Sequence, residues 1–78
     1  MKLKKLSGKE LVKILVNKFN FIPVRQKGSH LILKSKDGKR GCVVPMHEEL
    51  KIGTILGILE QAGISKREFL EKSKRKEK

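Results

Sequence analysis

The hydrophobic pattern near the start of the chain predicts a helix that begins after Ser7. Ser7-Gly8-Lys9-Glu10 has the spacing of a capping box, in which the Ser7 hydroxyl accepts from the backbone N–H of Glu10 and the Glu10 carboxylate accepts from that of Ser7. Apolar residues then recur at helical spacing up to Phe19. Asn20, which tolerates the left-handed conformation, is the predicted end of this helix.

Alternating apolar and polar residues after Asn20 predict three short strands, at residues 21–26, 30–36 and 39–45. The alternation places Ile22 and Val24 on one side of the first strand and Arg25 on the other. Lys27-Gly28-Ser29 predicts a tight turn between the first two strands, and Asp37-Gly38 predicts a two-residue hairpin between the last two.

The remaining pattern predicts a helix at residues 53–62, capped by Gly63, and a short final helix that starts with a second capping box at Ser65. We expect Ile64 and Phe69 to pack together around that start. The residues of the 53–62 helix expected to face inward are Ile55, Leu56, Ile58, Leu59 and Ala62.

This order predicts an α+β fold, α-β-β-β-α with an extra turn of helix, in which a three-stranded antiparallel sheet has helices on one face and leaves the other uncovered. The 78 residues suffice for a single small domain, which we place at residues 1–71. Residues 72–78 are nearly all charged and are predicted to fray as a basic tail.

Charge indicates a polyanionic partner. The chain has 20 Lys and Arg against 8 Asp and Glu, a net charge of +12. Residues 1–47 carry most of the excess, with 12 basic and 2 acidic side chains. Such an uneven basic field is typical of nucleic-acid-binding proteins, although lysine-rich surfaces also simply keep small proteins soluble.

Several classes of protein are excluded or disfavoured. The single cysteine, Cys42, cannot form an internal disulfide and is predicted to be a small buried apolar residue. Histidines and cysteines are too few for a zinc site, and no phosphate-cradling glycine motif occurs, so we expect no metal and no small-molecule cofactor. No apolar run is long enough to cross a membrane and we find no signal peptide, so we expect a cytoplasmic protein.

His30 is the main candidate for chemistry. If Leu31 and Leu33 face the helices, His30 and Lys34 lie on the uncovered face, but the opposite phase stays open because Ile32 is also a credible core residue. A histidine in a basic field can deprotonate a ribose 2′-hydroxyl, whereas a single exposed histidine often has no role at all. The basic residues predicted from charge to bind RNA phosphates are Lys27, Lys34, Lys36, Lys39 and Arg40.

His47 is a secondary candidate for an acid–base role. It lies in the predicted connector beside Glu48 and Glu49, where it could equally cap or orient the loop.

Several short motifs together resemble the HicA family of small messenger-RNA interferase toxins. They include Ser7-Gly8-Lys9-Glu10-Leu11, Gly28-Ser29-His30, Val44-Pro45-Met46-His47, Gly53-Thr54-Ile55-Leu56 and the run from Ile58 to Ile64. The resemblance covers about residues 6–70, and the motifs keep the family's order and spacing.

The resemblance implies a fold like that of the double-stranded-RNA-binding domain. It implies that His30 is the catalytic residue, with Gly28 and Ser29 as its supporting motif. It also implies RNA as substrate and a HicB-like antitoxin as partner, one that covers the active site.

The leading hypothesis is therefore a metal-independent endoribonuclease toxin that cleaves messenger RNA with His30. Two alternatives stay open: a non-catalytic RNA-binding module of the same fold, and a protein-interaction subunit whose basic face docks an acidic partner.

Overall fold

The computed structural model describes residues 5–73 and has the predicted α+β architecture. The three strands form one antiparallel sheet in the order β1-β2-β3. The elements are α1 (Gly8–Phe19), β1 (Phe21–Lys27), β2 (His30–Ser35), β3 (Gly41–Pro45), α2 (Ile52–Ala62) and α3 (Lys66–Ser73).

Helix α1 starts and ends where local signals predict. The Glu10 N–H donates to the Ser7 hydroxyl and the Ser7 N–H donates to the Glu10 carboxylate, both at 3.0 Å, which completes the capping box. Asn20 follows the helix with φ of 60°, the left-handed conformation that ends many helices. The next residue, Phe21, can then enter β1 in extended geometry.

Two different turns connect the strands. Gly28 has φ of 59° in the two-residue β1–β2 turn, and Ser29 keeps a negative φ, which is the pattern of a type II′ hairpin. The predicted two-residue hairpin at Asp37-Gly38 is wrong, because residues 36–40 form a longer loop. The Asp37 carboxylate accepts from the Ser35 hydroxyl at 2.6 Å and from the Lys39 N–H at 3.0 Å, so it organises a wider turn.

The helices cover one face of the sheet and enclose a single core. Leu31 and Leu33 of β2 face this core, as predicted, and Cys42 is buried in it with 4% exposure. Leu56 is 37% exposed, so its predicted inward orientation is wrong; the residues that α2 does bury are Ile55, Ile58, Leu59 and Ala62. These four follow the i, i+3, i+4, i+7 spacing of one stripe, and Leu56 lies outside it.

Helix α3 completes the core by packing against α1. The Glu68 N–H donates to the Ser65 hydroxyl at 3.1 Å, and Ile64 and Phe69 are both buried around this start, as predicted. The Phe69 ring stacks on Phe19 of α1 with 6.2 Å between centroids. Helix α3 continues through Ser73, and the rest of the predicted tail lies outside the described residues.

None of the helices within residues 5–73 has the length and apolar character needed to cross a bilayer.

Candidate functional site

The sheet face turned away from the helices, called here the open face, has a regular arrangement of side chains. Residues directly opposite each other in antiparallel strands point to the same side, so the register defines three rows across the face. From β1 through β2 to β3, the rows are Lys27–His30–Pro45, Arg25–Ile32–Val43 and Ile22–Lys34–Gly41. The phase predicted for His30 and Lys34 is therefore the one that the structure has, and Ile32 is only half-buried.

A β-bulge in β1 explains why Arg25 and Lys27 lie on the same face as Ile22. The register shifts between Pro23 and Arg25, which leaves Val24 as the extra residue. Because of the shift, Arg25 pairs with Ile32 and points to the open face with Ile22. Simple alternation had assigned Arg25 to the opposite side, and that assignment is wrong.

His30 lies at the end of the sheet where a residue of β1 and the residue after β3 form hydrogen bonds with the Gly28-Ser29 turn. It is the first residue of β2 after the Gly28-Ser29 turn, and the Gln26 side-chain amide donates to the Gly28 carbonyl at 3.1 Å. On the other side, the Met46 N–H donates to the Ser29 carbonyl at 2.6 Å. These contacts fix the backbone that carries His30.

The His30 imidazole is exposed and has cations nearby. Lys27 is its direct partner on β1, and Arg25 is in the next row. Within residues 5–73, the one salt bridge joins Lys5 to Glu49, so the cations of the open face have no carboxylate partner in this part of the chain. Such a site offers a proton acceptor beside unneutralised positive charge, which suits a phosphodiester substrate.

The five residues predicted to bind phosphates do not lie together. Lys27 and Lys34 are on the open face with His30, although Lys34 is four residues along β2, about 13 Å away at the usual rise of a strand. The other three, Lys36, Lys39 and Arg40, belong to the β2–β3 loop at the far end of the sheet.

Arg40 also has a structural contact. A Cβ placed on Gly63 would lie 2.8 Å from the Arg40 guanidinium carbon, so this side chain passes close over the C-terminal end of α2. A cation at this position interacts favourably with the helix dipole.

His47 is placed beside the start of α1. Its side chain is exposed, and its carbonyl accepts from the Gly8 N–H at 2.9 Å. Gly8 is needed there, because a Cβ on it would collide with the Pro45 carbonyl oxygen. The contact joins the motif that opens α1 to the motif that closes β3.

Within residues 5–73, no three His, Cys, Asp or Glu side chains cluster as metal ligands would. Burial raises the pKa of the Cys42 thiol to about 11, so this cysteine is a packing residue rather than a nucleophile.

The family description that matches the chain is "HicA toxin of bacterial toxin-antitoxin", over residues 8–64. The chain belongs to this HicA toxin family. The match runs from the start of α1 to just beyond α2, so it contains the whole sheet, His30 and the Gly8–Pro45 contact. No curated protein and no solved structure gives a significant match to the chain.

Membership of the HicA family makes the chain the toxin of a toxin–antitoxin system and implies an antitoxin partner. Toxins of this family are generally ribonucleases.

Sequence reasoning missed two parts of this site. Arg25 was not among the predicted phosphate-binding residues, and the apolar surface formed by Val43 and Pro45 was not foreseen. The one local signal was Pro23, since a proline inside a strand is typical of an edge strand or a bulge.

Proposed function

We propose that this HicA family chain is an endoribonuclease that cleaves messenger RNA without a metal ion and uses His30 as the general base. The observation that carries the proposal is the Lys27–His30–Pro45 row, which combines an exposed imidazole with a cation at one end of the sheet. Gly28 and Ser29 support the site by forming the turn from which His30 starts.

His30 accepts the proton of a ribose 2′-hydroxyl in the proposed reaction. The 2′-oxygen then bonds to the adjacent phosphorus as the bond between phosphorus and the 5′-oxygen breaks. The 5′-oxygen takes up a proton, either from the imidazolium or from water, and leaves as a hydroxyl. The products are a 2′,3′-cyclic phosphate and a 5′-hydroxyl end, and DNA is not a substrate because it has no 2′-hydroxyl.

Cations of the open face stabilise the charge that develops on the phosphate. Lys27 is beside His30, Arg25 is one row away, and these two are the nearest to the reacting group. Lys34 binds a phosphate further along the RNA. Lys36, Lys39 and Arg40 contact only RNA that continues to the far end of the sheet.

His47 acts through its backbone in this proposal. The Gly8 N–H to His47 carbonyl bond holds α1 against the end of β3, and this bond does not need the imidazole. A substitution of the side chain therefore leaves the site intact.

The proposed partner is a HicB-like antitoxin that covers the open face and so blocks His30. Free cations and the exposed apolar residues Ile22 and Val43 give such a protein both charge and hydrophobic surface to bind. Cleavage of messenger RNA also places the proposed activity in the cytoplasm.

The test is incubation of the purified protein with single-stranded RNA in EDTA, with the product ends mapped. We expect cleavage with 2′,3′-cyclic phosphate ends, and we expect His30→Ala to lower the rate by about 10²-fold or more while RNA affinity changes less than about twofold.

His47→Ala is the matched control, because it removes the other exposed histidine and should cleave at close to the parent rate. Intact RNA with the parent protein, despite measurable binding, would favour the non-catalytic RNA-binding module. Equal loss of binding and cleavage in His30→Ala would argue against an acid–base role.

A further inference from the structure

The open face has two chemically different sides. In the two rows nearest His30, its β1 side carries Arg25 and Lys27, which are both exposed, and Ile22 follows in the third row. Its β3 side carries Pro45, Val43 and Gly41, which have no charge and no side-chain hydrogen-bonding group. The residues of β2 lie between these two columns.

The row that contains His30 therefore runs from a cation through an imidazole to an apolar ring. The outer two strands of a three-stranded sheet are about 9–10 Å apart, which is twice the spacing between neighbouring strands. A nucleotide has a comparable span and the same order of groups, from its phosphate through its ribose to its base. With a phosphate at Lys27 and a base against Pro45, the ribose lies over His30.

We propose that the open face binds an unpaired nucleotide across the strands, with its phosphate on the Arg25 and Lys27 column and its base packed on the Pro45 and Val43 surface. This inference rests on the proposed RNA substrate and adds to it that the base next to the cleaved bond must be unpaired. Such a base can turn its face to the protein, whereas a paired base is stacked within its duplex.

The surroundings of Val43 leave its side chain available to RNA. Val43 is 37% exposed, and its backbone N–H, which faces away from β2, donates to the Gln61 side-chain oxygen at 3.2 Å. A side chain of α2 thus satisfies the outward-facing backbone N–H of Val43, so β3 is not free to pair with another strand at this residue. The apolar surface can be reached only from the open face.

Charge favours a nucleic acid over a second copy of the chain as the occupant. Each copy has a net charge of +12, and self-association through this face would bring Arg25 and Lys27 of two copies close together. A polyanion instead neutralises the same cations as it covers the apolar side.

Packing on Pro45 and Val43 gives affinity but reads no base identity, because neither side chain can donate or accept a hydrogen bond. The surface therefore selects for the unpaired state of a base and not for a particular sequence.

The test measures binding by proteins that also carry His30→Ala, so that no cleavage occurs, and it contains no antitoxin. The probes are one labelled RNA as a single strand and the same RNA in a duplex. Val43→Ala should weaken single-strand binding by about fivefold, as expected for the loss of two partly buried methyl groups, and leave duplex binding unchanged.

Leu56→Ala is the matched control, since Leu56 is also 37% exposed but lies on α2 away from the sheet. It should change neither affinity. Val43→Thr, which keeps the branched shape that strands favour, should give a smaller loss of single-strand binding and guards against a folding defect in Val43→Ala.

Three results would overturn the inference: equal loss of single-strand and duplex binding in Val43→Ala, no loss of either, or a parent that binds the duplex as tightly as the single strand. With no loss of either, the apolar column would be a protein interface, and sedimentation of the parent would show whether its occupant is a second copy. Each outcome is independent of whether the protein cleaves RNA, which the EDTA experiment decides.

Discussion

At the scale of single residues, strand phase gives His30 and Cys42 opposite environments. His30 and Cys42 lie on neighbouring strands, yet His30 points to the open face and Cys42 points to the core opposite Leu33. Exposure keeps the imidazole available to substrate. Burial raises the pKa of the Cys42 thiol from 9.0 to about 11, which makes that side chain an uncharged part of the core.

The raised pKa of Cys42 predicts a loss of stability at high pH. Between about pH 9 and 11 the unfolded chain releases the thiol proton and the folded chain retains it, so the free energy of unfolding falls as pH rises through this range. The slope from one such group is at most about 1.4 kcal/mol per pH unit. Urea unfolding at several pH values measures it.

Cys42→Ala provides the comparison, because lysines titrate in the same range in both proteins. The variant is less stable at pH 8, since it leaves a small cavity, but its deficit should shrink towards pH 11. A deficit that stays constant over this range would contradict the prediction.

At the scale of secondary structure, most elements set by neighbouring residues could be predicted, and the bulge set by strand pairing could not. Both serine caps, the left-handed Asn20 and the Gly28 turn depend on a few adjacent residues, and all were read from the sequence. The bulge at Val24 depends on how β1 aligns with β2. The long 36–40 loop depends on the hydrogen bond that the Asp37 carboxylate accepts from the Lys39 N–H. The strand alignment is not local, so alternation missed the bulge. The Asp37 contacts are local, but Asp37-Gly38 fits both a two-residue hairpin and this wider turn, so the motif alone did not decide between them.

The candidate site divides in the same way. His30 and its Gly-Ser-His motif were identified from the sequence, as was the phase of β2. The rows that join Lys27 to Pro45 across His30 require the register of three strands, which no single segment encodes.

Two glycines of the helices should respond to alanine in opposite ways. At Gly57 of α2 a Cβ would meet no neighbour, so Gly57→Ala should raise the free energy of unfolding by about 0.5–1 kcal/mol through helix propensity. At Gly8 of α1 a Cβ would collide with the Pro45 carbonyl, so Gly8→Ala should be destabilising by about 1–3 kcal/mol and separate α1 from the end of β3.

Thermal or urea unfolding of the two variants beside the parent measures these effects. Each variant is the control for the other, because the change of residue is the same. A Gly8→Ala protein as stable as the parent would mean that the α1–β3 contact is looser than the structure has it.

At the scale of the whole molecule, whose net charge is +12, the sheet and its β2–β3 loop carry two separate groups of cations. Arg25, Lys27 and Lys34 lie on the open face, and Lys36, Lys39 and Arg40 lie in the loop at the far end. Long-range attraction draws RNA to the molecule as a whole, but only cations that touch phosphates release counterions when RNA binds. The salt dependence of RNA affinity therefore reports which group of cations contacts the RNA phosphates.

A short single-stranded RNA that crosses the sheet at His30 should contact Arg25 and Lys27, because Lys34 lies about 13 Å further along β2. At about 0.7 per phosphate contact, the plot of log affinity against log salt should have a slope of about −1.4, against about −4 if Lys34 and the loop cations also bind. Lys27→Gln should make the slope shallower by about 0.7. Arg40→Gln, the matched loss of one charge beside Gly63, should leave it unchanged, and an equal effect of both variants would mean that the RNA follows β2 along the length of the sheet instead of crossing it at His30.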